Sequence, residues 1–233
     1  MDRFGWLDHP RPLAENWDQS VHPEDLVLVV GDISWATRPS EVQGDLAWLD
    51  ERPGKKVLLK GNHDFWWPGS RRKLEELLAP FPSFVGFLHN GSALRVGPYV
   101  IAGVRGWTVP EAAPPPGVDP ELAMESYQPH LVERDLGRLE ASIAEAKRLE
   151  AEAAAAGSDP APIRVACMHF PPVYAGPKRT RFTEPIEAFR PAVCVYGHLH
   201  GPGIAAGFSG ELGGVRYALA SCDAADFAPL RLI

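Results

Sequence analysis

Residues 57–64 read VLLKGNHD: three apolar residues and a lysine, then a glycine, an amide, an imidazole and a carboxylate. A short apolar run closed by glycine reads as a buried strand. Asn62, His63 and Asp64 therefore stand where that strand stops, and together they can bind a cation or move a proton. The ending recurs. Residues 26–30 (LVLVV) run into Gly31-Asp32, residues 163–168 (IRVACM) into His169, and residues 193–196 (VCVY) into Gly197-His198-Leu199-His200. Ligands of α/β sheets bind at the carboxyl ends of strands, so residues far apart in sequence converge there. The glycines before Asp32, Asn62 and His198 allow a sharp turn and a close backbone approach.

The rest of the chain supports that sheet. A further strand is expected over residues 100–104, and helices over 39–51 and 71–78, so the first half alternates strand and helix and favours a parallel core. Val132, Leu136, Leu139, Ile143 and Ala146 step by three or four with charged residues between them, the pattern of a helix covering a sheet. A proline-rich loop is expected over 110–120, and a helix stop at Gly157-Ser158-Asp159-Pro160. Residues 215–219 and 230–233 read as late, antiparallel strands. No repeat divides the 233 residues, and a single domain over 1–233 is expected.

Composition narrows the function classes. Lys plus Arg number 23 against 30 Asp plus Glu, a net charge of -7, so no overall positive field gathers nucleic acid or an acidic membrane. Three distant cysteines, Cys167, Cys194 and Cys222, form no CxxC pair and fit reduced thiols, two of them in strands. Neither an N-terminal leader nor a run of about 18 apolar residues is apparent, which leads us to expect a cytoplasmic protein.

Taken singly, Gly31-Asp32 also suits an ordinary turn and His169 a hydrogen-bonded core position. The set is more specific. Asp32, Asn62, His169, His198 and His200 mix hard oxygen with imidazole nitrogen, which suits Mn, Fe, Co, Ni or Zn rather than an all-oxygen cage. His198 and His200 would share one face of an extended segment, where two protonated rings repel unless a metal holds them.

In this order the four motifs resemble the calcineurin-like metallophosphoesterase superfamily, and the likeness runs from about Leu26 onward. The resemblance implies a four-layer α/β/β/α sandwich with two mixed sheets and a dinuclear centre, Mn being the first choice of metal. It implies that Asp32 bridges two ions, that Asn62, His169 and His198 complete one site, and that His200 serves the other. It also turns His63 toward the substrate. The expected reaction is hydrolysis of a phosphate mono- or diester by a metal-bound hydroxide, with His63 protonating the leaving alkoxide. The expected substrate is a small phosphorylated molecule or a phosphoprotein.

The family's opening strand ends in Asp-x-His, and no such motif precedes Leu26, since Asp8-His9 has another spacing. The resemblance therefore leads us to expect about 15 to 25 further in-frame residues encoded upstream of Met1, a strand and a loop. A member that binds metal or a partner without turnover is the alternative. Around the motifs, Asp64 suits either a partner for His63 or the cap of the following helix. Arg71-Arg72-Lys73 and residues 178–181 (KRTR) suit phosphate attraction or a solvated face, and Arg105 a phosphate clamp or a salt bridge. Trp35, Trp66, Trp67 and Trp107 suit stacking on a base or sugar, or walling the metals from water.

Overall fold

The computed structural model describes residues 6, 8–111, 127–157 and 161–233. Most of the proline-rich loop and the Ser158-Asp159-Pro160 part of the helix stop lie outside the described residues. The elements in chain order are α1 (Pro10–Ser20), β1 (Leu26–Val29), α2 (Gln43–Asp50), β2 (Lys55–Leu59), α3 (Arg71–Leu78), β3 (Phe84–Leu88), β4 (Leu94–Val96) and β5 (Tyr99–Val104). They continue with α4 (Pro129–Ala155), β6 (Ile163–Met168), β7 (Val173–Tyr174), β8 (Lys178–Arg179), α5 (Thr183–Phe189), β9 (Val193–Tyr196), a 3-10 turn (Gly201–Ala206), β10 (Gly210–Leu212) and β11 (Val215–Leu219).

Two sheets face one another. The smaller, β1-β2-β3, is parallel throughout, and the larger has the order β10-β11-β9-β6-β5-β4 with a parallel centre and antiparallel edges. Val30, Val57, Leu59 and Leu88 from the smaller sheet meet Ile101, Val165, Cys167, Val193 and Val195 from the larger. Strands buried on both faces explain why their sequences are continuous apolar runs rather than alternating ones. On the outer side of the smaller sheet, α2 and α3 contribute Leu46, Leu74 and Leu78 to a second core with Leu58 and Trp66. Beyond the larger sheet, Val132, Leu139, Ile143 and Ala146 of α4 pack with Ile186 and Phe189 of α5 on Met168 and Cys194. Each fully buried side chain of this size contributes about 1.5–3 kcal/mol.

The layers are therefore α/β/β/α, as the resemblance implies, but only the larger sheet is mixed. β11 runs parallel to β9 and antiparallel only to β10. Residues 230–233 form no strand: the chain behind Pro229 holds to the larger sheet through Arg216, whose guanidinium donates to the Leu232 carbonyl at 2.8 Å. A proline there removes a donor that a ladder needs. Among the described residues no strand pairs with the outer edge of β1, and all four of its residues are half-buried. That edge borders a groove of about 1420 Å³ whose lining includes both His200 and Ile233.

Candidate metal centre

The carboxyl ends of β1, β2, β6 and β9 deliver Asp32, Asn62, His169 and His198 to one place. A carboxylate oxygen of Asp32, a nitrogen of His169 and a nitrogen of His198 lie within 4.8 Å of one another. Asn62 sits among them, its Oδ1 2.7 Å from His169 Nε2 and 3.0 Å from His198 Nδ1. His169 is buried, and its Nδ1 lies 2.9 Å from the Val30 carbonyl oxygen, which can only accept. A proton therefore sits on Nδ1, and Nε2 faces Asn62 Oδ1 and, at 3.5 Å, Asp32 Oδ2. A ring nitrogen and two side-chain oxygens brought this close suit a positive charge between them, a second proton on His169 or a metal ion.

Glycine makes that approach possible. Gly31 has φ +103°, and a Cβ there would lie 2.6 Å from the Gly61 nitrogen and 2.7 Å from His169 Nδ1, while one on Gly61 would collide with the Asp32 carboxylate. Asp32 and His198 are themselves left-handed, φ 55° and 71°. Non-glycine residues avoid this region, and such strain concentrates at functional sites.

Asp64 holds the arrangement together. Its fully buried carboxylate accepts from the backbone N–H groups of Asp32 (2.9 Å), Ile33 (2.8 Å), Ser34 (3.1 Å) and Gly61 (2.7 Å), and from Trp66 Nε1 (3.0 Å). Neither role read from the sequence is the one observed. Asp64 neither caps α3, whose N-cap is Ser70, nor hydrogen-bonds to the His63 ring; it ties the loop after β1 to the loop after β2. Burial pushes its pKa up, while the N–H groups of Gly61 and Ser34 favour the charged form.

The electrostatics suit a cation. Burial alone would raise the pKa of Asp32, but hydrogen bonding and charge from His169, with the His63 N–H at 2.8 Å, bring it to about 2. His198 keeps part of its ring open, yet the dense packing around it, followed by repulsion from His169, lowers its pKa to about 3. Both are in their metal-binding protonation states near neutrality.

His200 lies elsewhere in the same groove. The left-handed backbone at His198 breaks the extended run expected there, and the two rings join different groups of side chains. His200 Nδ1 lies 2.7 Å from Asp223 Oδ1, and Asp223 Oδ2 accepts the Gly201 N–H at 2.7 Å. Cys222 completes this second cluster, whose donor atoms also lie within 4.8 Å. Cys222 and Asp223 follow β11, the neighbour of β9, so a fifth strand ends in polar residues at the same edge. The sequence reading missed both, although the strand-end pattern of residues 215–223 carried the signal.

His63 also lines the groove, and Trp35 lies flat on its ring. Trp66 and Trp67 do not face the site; both are buried in the outer helical core. Trp107 packs on Phe170 at 5.5 Å and under Arg105 at 4.5 Å. Arg105 is paired with buried Asp135 (3.8 Å), so its guanidinium is engaged as the salt-bridge reading has it, while its carbonyl accepts the N–H groups of His169 and Phe170. Arg71 and Arg72 pair with Glu75 and Glu76, and Arg179 and Arg181 with Glu187 and Glu133, all surface pairs. Asp8 pairs with Arg11 at the start of α1. Cys167 and Cys194 are buried strand residues, and among the described residues no helix is long and apolar enough to cross a membrane.

A four-layer sandwich that collects a carboxylate, an amide and imidazoles at its strand ends has the make-up of a metallohydrolase. The sequence matches the calcineurin-like phosphoesterase family over residues 8–202, and the chain belongs to that family. It is similar to the Gene 66 protein of Mycobacterium phage D29, 47% identical over 89 residues, and to that of Mycobacterium phage L5, 34% identical over 89 residues. Each match covers 38% of this chain, and the chain spans less than half of either relative, 44% and 41%. Among solved structures, a protein of unknown function from Aquifex aeolicus, AQ665, aligns over 98% of this chain and 84% of its own at 13% identity and a TM-score of 0.42.

Proposed function

We propose that this protein hydrolyses phosphate mono- or diesters with divalent transition metals, Mn²⁺ foremost, held at the strand ends. The convergence of His169 Nε2, Asn62 Oδ1 and Asp32 Oδ2 on one another carries this reading. Asp32, Asn62, His169 and His198 would hold one ion, and Asp32 and His200 would face a second. Such ions, when bound, polarise the phosphoryl group and acidify water. The chain's own part is positional. The Val30 carbonyl keeps His169 in one tautomer, Asp64 holds the loops that carry Asp32 and Asn62, and His63 supplies the leaving group's proton. A small phosphorylated molecule or a phosphoprotein is the substrate we expect, and reduced thiols at Cys167, Cys194 and Cys222 support a cytoplasmic setting.

One observation favours a second reading, a member that binds metal without turnover. Both oxygens of Asp223, the carboxylate beside His200, already accept hydrogen bonds. The further Asp-x-His strand expected upstream would find backbone partners at the edge of β1 that no described strand pairs. An in-frame stop codon directly before Met1 removes that expectation.

Metal-loaded protein should hydrolyse an activated aryl phosphate ester and lose that activity to a chelator. Metal content near two per chain goes with turnover; one or none without turnover goes with the second reading. His63→Ala should retain metal and lose roughly 10²–10⁴-fold in rate, most for poor leaving groups. Asn62→Ala should lose metal, and equal metal loss in both variants overturns the assignment of His63.

A further inference from the structure

In the proposed reaction the water oxygen bonds to phosphorus, and the bond from phosphorus to the leaving oxygen breaks with its electron pair staying on that oxygen. The proton on His63 then passes to it, and water's proton goes to solvent. Whatever flanks His63 is therefore what a leaving alcohol meets. Trp35 stacks on the His63 ring, centroids 4.3 Å apart and planes 6° from parallel, and Phe65 meets the same ring edge-on at 6.1 Å and 86°.

Both flanking rings are open to water, Trp35 at 49% and Phe65 at 61% of their surface. Among the described residues they are the only aromatics in the exposed large-hydrophobic class, and both contact the same imidazole. The neighbouring Trp66 and Trp67 are buried, so this stretch has an apolar core within reach. A single exposed apolar residue is ordinary; two on one imidazole, whose backbone N–H reaches Asp32 at 2.8 Å, form a patch that can bind. One face of Trp35 is taken by His63, which leaves its other face and the exposed ring of Phe65 for a planar group.

We propose that Trp35 and Phe65 select phosphoesters whose leaving alcohol carries a planar ring, an aryl or nucleoside alcohol. The inference rests on the reading of this site as a phosphoesterase with His63 on the leaving-group side. Ring stacking tolerates many planar partners, and losing it costs roughly tenfold to hundredfold in discrimination.

The test compares phenyl and hexafluoroisopropyl phosphate esters, whose leaving alcohols have similar acidity, on metal-loaded protein. We expect kcat/KM to favour the phenyl ester at least about tenfold, and the preference to collapse in Trp35→Ala and Phe65→Ala and persist in Trp35→Phe. Trp35 also steadies His63, so absolute rates fall for both esters in Trp35→Ala, and the ratio is the decisive quantity. Both substitutions lie on exposed side chains, and circular dichroism verifies folding. Turnover with no aryl preference, or a preference unchanged in both alanine variants, overturns the platform and leaves the hydrolytic reading standing. Tighter binding of phenylphosphonate than propylphosphonate without hydrolysis of either ester keeps the platform and removes the hydrolytic reading. Equal binding of the two phosphonates without hydrolysis overturns both.

Discussion

The two histidines of the Gly197-His198-Leu199-His200 motif end in surroundings built on different plans. Around His198, four strand ends converge, glycines bring the backbones into contact, and a buried carboxylate gathers four N–H groups and an indole. Around His200 the contributing strands, among the described residues, are β9 and β11; the ring has a carboxylate at Nδ1 and the Trp6 indole edge-on, and the groove beside it borders the edge of β1 that no described strand pairs. The first region is fixed from several directions. The second rests on fewer strands: Asp223 holds His200 Nδ1, and the Trp6 indole meets the ring edge-on at 5.1 Å.

The hardest test of that contrast is Asp64→Ala. Removing the carboxylate orphans buried donors on two loops at once, and the cost should be at least about 3 kcal/mol. Denaturant unfolding measures it, and a loss below about 1 kcal/mol would mean that the loops hold without the carboxylate. A smaller effect is expected at Asp223. Its acceptance from His200 Nδ1 puts the proton on Nδ1 and the lone pair on Nε2, as carboxylates do for metal-binding histidines, so Asp223→Ala should weaken metal binding roughly 10- to 100-fold. In a His200→Ala background the same change should cost nothing further. Additive losses in calorimetric titrations would instead make Asp223 a ligand in its own right.

The smallest effect concerns acid, and belongs to the first region. With metal removed, His198 is a base whose folded pKa, about 3, lies below its ordinary 6.5. The unfolded chain takes up that proton first, so its contribution is complete above pH 6.5 and is lost as pH falls toward 3. Asp32, held near 2 against an ordinary 3.8, acts in the same direction over the lowest part of that range. Unfolding midpoints of chelated protein should fall across this window. The fall should be shallower in His198→Gln, and an unchanged slope would detach the acid sensitivity from this region.

Strand-end chemistry was legible wherever a strand and its polar ending are contiguous, as at Asp32, Asn62, His169 and His198. The same rule applied to residues 215–223 reaches Cys222 and Asp223, but a motif-led reading stops at His200. What sequence does not carry is direction. Trp35, Trp66 and Trp67 all follow strands, yet one is exposed and two are buried, because the turn after each strand decides which way a side chain faces. Asp64 was misread for a related reason. Capping and pairing with His63 are local roles, whereas three of its donors come from residues 32–34, a loop brought alongside only when β1 and β2 pair. That no described strand pairs with the outer edge of β1 is likewise a property of the assembled sheets.

The Asp64 carboxylate also sets the timing of events in this protein. Loop amides ordinarily exchange with solvent through small, independent openings. Here the amide protons of Asp32, Ile33, Ser34 and Gly61 share one buried acceptor, so releasing any of them disturbs the bonds of the rest. We expect these four amides to open as one cooperative unit spanning two loops, with the slow exchange usual for strands. The unit forms only after β1 and β2, parallel strands joined through α2, have found their register. Non-local parallel pairing is slow, so we expect the loops that carry Asp32 and Asn62 to take shape together, after β1 and β2 have paired.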